Sequence, residues 1–204
     1  DLAILSLRGV NVPIYTTQAV DQIRYIIENS GAKMLFVSGK KLWKHAESVI
    51  QSIETLEKLI FFDADFLPED SRAMSLKDLE AEGSRKDEID NFDELLAQVK
   101  ADDLATIIYT SGTTGEPKGV MLTHENFTSN VAAISKGLPI RNTDRSLAVL
   151  PLSHIFERSV FYVLCSNGVA IHYCAAFDQI AGHLQEVKPT IMTAVPRLFE
   201  QVYH

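Results

Sequence analysis

Short apolar runs alternate with segments of helical periodicity along much of this chain. Val20, Ile23 and Ile27 recur at helical spacing, and Gly31 stands where such a helix would end. The apolar residues 33–37 and 58–62 predict two buried strands, with an amphipathic helix over residues 42–53 between them. This rhythm predicts an α/β fold with layered, mostly parallel sheets flanked by helices.

The same alternation returns in the second half of the chain. Apolar runs predict strands over residues 104–109, 120–122, 146–150, 169–173 and 190–194. Helices are predicted after Thr123, from about Ile155 and from Asp178, and a last one at the end of the chain. Residues 63–103 break the pattern, since they are polar and carry only weak helical periodicity near 75–82 and 91–100. We expect a surface excursion there.

Composition narrows the class of protein. Of the 204 residues, 46% are hydrophobic and 23% are charged, which is typical of a globular domain with an apolar core. The formal net charge of -8 argues against a nucleic-acid partner, because phosphate backbones require clustered Lys and Arg. No apolar run is long enough to predict a membrane span. Cys165 and Cys174 form no C-x-x-C pair, so we predict two buried thiols in a reducing compartment. We expect a cytoplasmic protein, and peripheral attachment to a membrane stays open.

Both ends of the chain are unusual for a natural domain. The chain starts at Asp1 within an apolar run, and its last residues have the pattern of an unfinished helix. Natural domains usually end in exposed polar linkers. We therefore expect a piece of a longer protein, and an apolar surface at the cut would promote self-association of the piece.

One loop carries the chemistry. Four hydroxyl side chains and two glycines fall within six residues, directly after the strand predicted at 104–109. Glycines allow close approach of the backbone, free N–H groups form an anion-binding nest, and a lysine adds a positive charge. These properties suit a polyphosphate, and the candidate residues are Thr110, Ser111, Gly112, Thr113, Thr114, Gly115 and Lys118.

Other phosphate or catalytic loops have a different order of residues. A Walker A loop needs Gly-Lys-Ser/Thr at the start of a helix, whereas Lys118 precedes Gly119 and a predicted strand. A nucleophile elbow needs a glycine two residues before Ser111, where Tyr109 stands. A flexible Ser/Gly linker is the alternative without chemistry, but linkers do not usually join two apolar strands with a lysine at a fixed offset.

The segment YTSGTTGEPKGV, residues 109–120, resembles the signature loop of the adenylate-forming superfamily. That superfamily includes acyl-CoA synthetases, adenylation domains of peptide synthetases, and luciferases. The resemblance implies that the loop holds the β- and γ-phosphates of ATP while a carboxylate attacks the α-phosphorus.

The segment LPLSHIFER, residues 150–158, resembles the next core motif in its long-chain fatty acyl-CoA synthetase form. His154 matches the position near the reacting carboxylate, which makes it the catalytic candidate, with Phe156, Glu157 and Arg158 matching without a clear role. Taken alone, a histidine at a strand-to-helix junction is more often a packed residue; the loop upstream favours the functional interpretation.

Residues 186–203 and 2–17 are also similar to the long-chain group, so the resemblance spans nearly the whole chain. It implies a long-chain fatty-acid–CoA ligase with fatty acid, ATP and CoA as substrates and Mg²⁺ as the metal. Residues 1–204 would be part of its large N-terminal AMP-binding domain. The Glu that binds Mg²⁺, the Asp that binds ribose and the C-terminal domain with the catalytic lysine would lie outside the chain. We therefore expect the 204-residue piece alone to be inactive.

Two alternatives stay open. Another adenylate-forming ligase would activate an aryl acid, an amino acid or luciferin, and a non-catalytic nucleotide-binding module would hold phosphate without turnover. The histidines lack the spacing of a zinc site, so we predict no metal ligands within this chain.

Overall fold

The computed structural model describes residues 1–84, 91–110, 116–196 and 198. These residues belong to two compact units, Asp1–Leu122 and Thr123–His204. In the first unit the helices are α1 (Leu2–Ser6), α2 (Val20–Ser30), α3 (Lys40–Ile50), α4 (Leu76–Ser84) and α5 (Phe92–Ala97), and the strands are β1 (Met34–Val37), β2 (Lys58–Phe61), β3 (Ala73–Ser75), β4 (Leu104–Thr110) and β5 (Lys118–Thr123). The second contains α6 (His124–Gly137), β6 (Arg145–Ala148), α7 (Ile155–Ser166), β7 (Ala170–Tyr173), a 3₁₀ turn (Phe177–Gln179) and α8 (Ile180–Val187).

The first unit contains a parallel sheet in the order β1-β2-β3. Leu35 pairs with Leu59, and Leu59 pairs with Ala73, so the register runs across all three strands. Parallel strands have continuous apolar sequences because helices cover both faces of the sheet. Here α2 contributes Ile23 and Ile27, and α3 contributes Trp43 and Ile50, to one apolar core that also contains Phe61 of β2. The predicted α/β class with parallel sheets is confirmed.

The ends of the helices follow from local sequence. Gly31 ends α2 in the left-handed conformation with φ 66°, and its N–H donates to the carbonyl oxygen of Glu28. Thr123 begins α6 with a capping box, since its hydroxyl accepts from the N–H of Asn126 while the Asn126 side chain accepts from the Thr123 N–H. Both ends were predicted at these residues.

The third strand corrects our expectation for residues 63–103. We expected a surface excursion, but Ala73–Ser75 pairs with β2 and Ser75 is buried. The Arg72 guanidinium holds the segment in place, because it donates to the carbonyl oxygens of Ile53 at 2.9 Å, Leu56 at 3.4 Å and Ile50 at 3.4 Å. Arg72 also pairs with Asp70 at 2.8 Å. Carbonyl oxygens at and after the end of α3 are thereby satisfied by the side chain of the residue that directly precedes β3.

The strand that precedes the candidate loop is tied to a segment 95 residues earlier. The Thr106 hydroxyl donates to the Asn11 carbonyl oxygen at 2.6 Å, across a sequence separation of 95 residues. The Asn11 N–H donates to Ala105, and the Ile107 N–H donates to Asn11. Nearby, Arg8 makes two hydrogen bonds to Asp103, at 2.9 and 3.2 Å. These contacts hold β4 and the residue before it against residues 8–11.

In the second unit, helix α6 packs against α7, and β6 and β7 form a small parallel sheet. In α6 and α7, Phe127 and Tyr162 meet edge to face with ring centroids 5.1 Å apart. Strands β6 and β7 pair in parallel, and the core beneath them contains Leu147, Val149, Ile180 and Leu198. The strand predicted at 190–194 is reduced to a single bridge between Ser146 and Ile191.

The two cysteines correct a second expectation. We predicted buried thiols, but Cys165 is exposed near the end of α7 and Cys174 is only partly buried after β7. The buried face of α7 in this turn belongs to Val163 and Leu164, so Cys165 points elsewhere. No helix in the described ranges is long and apolar enough to cross a membrane.

Candidate active site

The candidate phosphate loop joins two paired strands of the first unit. Thr110 is the exposed last residue of β4, and Lys118 is the exposed first residue of β5. The strands are hydrogen-bonded neighbours, so the side chains of Thr110 and Lys118 flank the loop where it leaves and re-enters the sheet. The other candidates, residues 111–115, lie outside the described residues: Ser111, Gly112, Thr113, Thr114 and Gly115.

The ends of the loop are anchored by buried residues of the same motif. Tyr109 is buried, and its hydroxyl donates to Asn29 Oδ1 at 2.6 Å. Its ring also meets Tyr25 edge to face at 6.2 Å. Burial and the neighbouring Tyr25 raise the pKa of the Tyr109 phenol, so the hydroxyl remains a donor at neutral pH. Pro117 is buried at the other end of the loop. Buried residues therefore anchor the chain on both sides of the loop.

Close packing accounts for the glycine at position 119 of the motif. A Cβ at this position would lie 2.8 Å from Ile107 Cγ2 and 3.2 Å from Tyr109 Cζ. Side chains of β4 thus cover the backbone of β5 directly after Lys118, and only glycine leaves room for them. This contact fixes the start of β5, and with it the backbone from which the Lys118 side chain extends.

The first unit also has an open cleft that is lined mainly by residues with polar side chains, although most of its exposed lining surface is apolar. It has a volume of about 680 Å³ and lies where β1 ends and α3 begins. In parallel sheets, this carboxyl edge is where ligands commonly bind. The cavity is lined by three hydroxyl residues, two lysines, one carboxylate, one glycine and one leucine: Thr16, Thr17, Ser38, Gly39, Lys40, Lys41, Leu42 and Asp63. The run Ser-Gly-Lys-Lys directly after an apolar strand was the sequence pattern that could have indicated it.

His154 lies at the N-terminus of α7 in the second unit. It is the N-cap residue: its Nδ1 accepts from the N–H of Phe156 at 3.2 Å, and its own N–H donates to the Pro151 carbonyl oxygen at 3.0 Å. Because Nδ1 accepts, the neutral ring carries its proton on Nε2. The side chain is exposed, so this N–H can donate to a ligand.

Glu157, one turn further, has an unusual environment. Its side chain is 3% exposed, and Oε2 has no hydrogen-bond partner among the described residues. Burial raises the pKa of the Glu157 carboxyl from 4.5 to about 7. The motif match had left Glu157 without a role, and nothing in its immediate sequence distinguishes a buried glutamate from an exposed one.

Arg158 is buried on another side of α7. Its Nε donates to the Tyr162 hydroxyl at 3.0 Å, and its guanidinium lies 5.1 Å from the Phe127 ring centroid. A cation over an aromatic face is stabilised by the ring quadrupole, by about 0.5–2 kcal/mol. Arg158 therefore joins α7 to α6, and the motif residue has a packing role in this unit.

Within residues 1–84, 91–110, 116–196 and 198, no group of three His, Cys, Asp or Glu side chains is placed to hold a metal ion.

Comparison with known proteins identifies the family. Residues 1–204 match the profile described as AMP-binding enzyme. The chain belongs to the AMP-binding enzyme family. The chain is 32% identical over 209 residues to the long-chain-fatty-acid–CoA ligase FadD15 of Mycobacterium bovis, a match that covers 100% of this chain and 33% of that protein. The predicted adenylate-forming family is confirmed.

A second relative and a solved structure are similar to this chain over nearly its whole length. The chain is 34% identical over 217 residues to long-chain-fatty-acid–CoA ligase 5 of Mus musculus, covering 100% of this chain and 31% of that protein. The chain thus spans about a third of the length of both curated relatives. Among solved structures, the N-terminal domain of FACL13 from Mycobacterium tuberculosis matches with a TM-score of 0.72 and 23% identity, covering 98% of this chain and 46% of that chain. At this identity the likeness shows the fold alone.

Proposed function

We propose that this chain contributes the phosphate loop and the carboxylate-facing histidine to an ATP-dependent long-chain fatty-acid–CoA ligase. The observation that carries the proposal is the family match over residues 1–204 together with exposed Thr110 and Lys118 at the two ends of the signature loop. The names of the relatives at 32% and 34% identity support the long-chain substrate class.

The proposed reaction has two steps. A fatty-acid carboxylate oxygen attacks the α-phosphorus of ATP, the bond to the bridging oxygen breaks, and acyl-adenylate and pyrophosphate form. The thiol sulfur of CoA then attacks the acyl carbonyl carbon and loses its proton, the bond between the acyl carbon and the phosphate oxygen breaks, and acyl-CoA and AMP leave. Both steps move negative charge onto phosphate oxygens, which preorganised donors stabilise.

The loop residues would hold the β- and γ-phosphates. Lys118 supplies a positive charge at a backbone position that Gly119 fixes, and Thr110 supplies a hydroxyl at the other end of the loop. Ser111, Gly112, Thr113, Thr114 and Gly115 remain predictions for the same role. A fixed cation lowers the cost of bringing a carboxylate to the triphosphate, because it offsets part of the like-charge repulsion.

His154 would orient the fatty-acid carboxylate. With Nδ1 occupied by the Phe156 N–H, the neutral imidazole offers Nε2–H as a donor, and this donor suits an anionic oxygen. This geometry supports an orienting role for the ring, because a ring whose Nδ1 is held by the backbone keeps one direction.

The test is substrate-dependent ATP–pyrophosphate exchange by the full-length protein, with fatty acids of increasing length and with aryl and amino acids as controls. Exchange that grows with chain length supports the proposal. Exchange only with the control acids would keep the adenylation chemistry and refute the long-chain substrate. No exchange, with ATP still bound, would indicate the non-catalytic nucleotide-binding module.

A matched pair of variants tests the loop itself. Lys118→Ala should weaken ATP binding about tenfold or more, because a charge-assisted hydrogen bond contributes about 1.5–3 kcal/mol. Lys136→Ala, at an exposed position in the last turn of α6, is the control and should leave ATP affinity within about twofold. Equal affinities in the two variants would contradict the phosphate role of Lys118.

A further inference from the structure

Asn29 connects the end of α2 to the base of the candidate phosphate loop. Its Oδ1 accepts a hydrogen bond of 2.6 Å from the hydroxyl of Tyr109, which lies 80 positions later in the chain. Tyr109 directly precedes Thr110, the residue at which β4 ends and the loop begins. An exposed asparagine outside the signature motif therefore contacts the first anchor of the loop.

The end of the Tyr109 ring that Asn29 holds is also the end that covers Gly119. A Cβ at Gly119 would lie 3.2 Å from Cζ, the ring carbon that carries the hydroxyl, and 3.3 Å from Cε1. Gly119 directly follows Lys118, the first residue of β5. The hydrogen bond to Asn29 thus acts on the ring atoms that lie against the backbone from which Lys118 extends.

The end of α2 is a fixed support for this hydrogen bond. Ile26 and Ile27 are 2% and 1% exposed, and Ile27 belongs to the apolar core of the first unit. Gly31 ends the helix in the left-handed conformation, and its N–H donates to the Glu28 carbonyl oxygen at 3.2 Å. Because the helix is packed and its end is capped, the core sets the position of the Asn29 amide.

A simpler role for Asn29 would be to provide a partner for a buried phenol, since a buried tyrosine hydroxyl usually makes a hydrogen bond. The two roles have different consequences. Loss of a partner for the phenol changes the free energy of unfolding of the unit. Displacement of the Tyr109 ring also changes the placement of Thr110 and Lys118, and so the affinity for a ligand that these residues bind.

We propose that Asn29 is a positioning residue for the phosphate loop: through Tyr109 it keeps Thr110 and Lys118 in the arrangement that binds the β- and γ-phosphates of ATP. The inference rests on the proposed function, because it requires these two residues to contact the triphosphate. The apparent affinity for a ligand falls with the fraction of molecules whose site has the binding conformation. Loss of one neutral hydrogen bond should therefore weaken ATP binding by at most about tenfold.

The experiment measures the Kd of ATP by isothermal titration calorimetry, without fatty acid, for the full-length protein and its Asn29→Ala, Tyr109→Phe and double variants. Tyr109→Phe removes the hydroxyl and keeps the ring. We expect each single variant to bind ATP about threefold to tenfold more weakly. The double variant should be no weaker than the weaker single variant, because both changes remove the same interaction. Wild-type affinity in Asn29→Ala, or effects that add in the double variant, would overturn the proposal.

Ser30→Ala is the matched control at the neighbouring position. The Ser30 hydroxyl donates to the Ile27 carbonyl oxygen at 3.2 Å, so alanine removes a hydrogen bond from the same end of α2 and leaves the bond between Asn29 and Tyr109 in place. We expect its ATP affinity to stay within about twofold of wild type. Equal weakening in Ser30→Ala and Asn29→Ala would assign the effect to the stability of α2 and overturn the proposal.

Kinetics separate positioning from stability and from the ligase function. In ATP–pyrophosphate exchange, Asn29→Ala should raise the KM for ATP about threefold to tenfold and leave kcat within about twofold, because saturating ATP selects the binding conformation. A lower kcat at an unchanged KM, which partial unfolding produces, would overturn the positioning role.

The remaining outcomes concern the proposed function. Wild type without exchange, combined with weaker ATP binding by Asn29→Ala than by Ser30→Ala, would uphold the positioning and refute the ligase. Normal exchange with equal ATP affinity in wild type and Asn29→Ala would uphold the ligase and refute the positioning. Wild type that binds no ATP would refute the phosphate role of the loop and the positioning with it.

Discussion

The ring of Tyr109 covers the backbone of Gly119, so that a Cβ on Gly119 would lie 3.2 Å from Tyr109 Cζ and 2.8 Å from Ile107 Cγ2. The two residues stand at opposite ends of the candidate phosphate loop. Their contact closes the loop at its base independently of the residues within it. The two ends of the loop are thus held together by packing.

Gly119→Ala should destabilise the first unit by about 1–3 kcal/mol, the usual cost of forcing a methyl group into a packed site. The control is Gly137→Ala, where a Cβ meets nothing within 4 Å. Alanine there should stabilise the helix by up to about 1 kcal/mol. Urea denaturation of both variants checks the prediction, and an unchanged midpoint for Gly119→Ala would contradict the packing described here.

Two substitutions separate the cap from the chemistry of His154. His154→Ala should lose about 1 kcal/mol of stability, because the N–H of Phe156 loses its acceptor. His154→Asn should recover most of that stability, since asparagine is among the best N-cap residues. Both should lose adenylation activity if the imidazole orients the carboxylate. Activity in His154→Asn close to wild type would reduce His154 to a structural cap.

Arg72→Met should cost the first unit about 2–4 kcal/mol, because it removes the donor to three carbonyl oxygens and leaves the carboxylate of Asp70 without its partner. The control is Arg24→Met. Arg24 lies 3.6 Å from Glu28 with both side chains exposed, and such pairs contribute at most about 0.5 kcal/mol. Thermal unfolding of the two variants makes the comparison.

The Arg72 effect should also depend on pH. The hydrogen bond from Arg72 lowers the pKa of Asp70 below its ordinary value of 3.8. The stabilisation is therefore present above the pKa of the unfolded chain and is lost as the pH falls through the lower pKa of the folded state. The difference between wild type and Arg72→Met should shrink in acid; a difference that grows there would contradict the ion pair.

Glu157 predicts the opposite pH dependence. Its pKa is raised from 4.5 to about 7, so the folded state binds the proton more tightly than the unfolded chain. The free energy of unfolding should decrease between pH 4.5 and about 7 and stay lower above it. Glu157→Gln removes this slope, whereas Glu125→Gln at an exposed position retains it. Chemical denaturation at pH 4, 6 and 8 measures the slope in each protein.

Local sequence patterns predicted the parts of the fold that local chemistry determines. Gly31 ends α2 because glycine adopts positive φ without strain, and Thr123 begins α6 because its hydroxyl accepts a backbone N–H. The α/β class followed from apolar runs between amphipathic helices. In each case the structural feature depends only on residues that are close together in the sequence.

Parts that depend on distant residues could not be predicted in this way. Strand β3 has three residues, and its partner Leu59 and its anchor Arg72 act through tertiary contacts. The burial of Glu157 and Arg158 could not be predicted from the sequence either, because charged residues on a helix are usually exposed. The motifs predicted Lys118 and His154 as candidate site residues. The capping role of the His154 imidazole could be seen only in the structure.

The pairing of Asn11 with Thr106 has a consequence for how the protein is made. Strand β4 obtains its hydrogen bonds from a segment 95 residues earlier in the chain. At a synthesis rate of about 5–20 residues per second, Asn11 leaves the ribosome about 5–20 s before its partner. Throughout that interval the early segment must remain available and unaggregated. The strand that precedes the candidate loop is consequently among the last parts of its unit to be completed during translation.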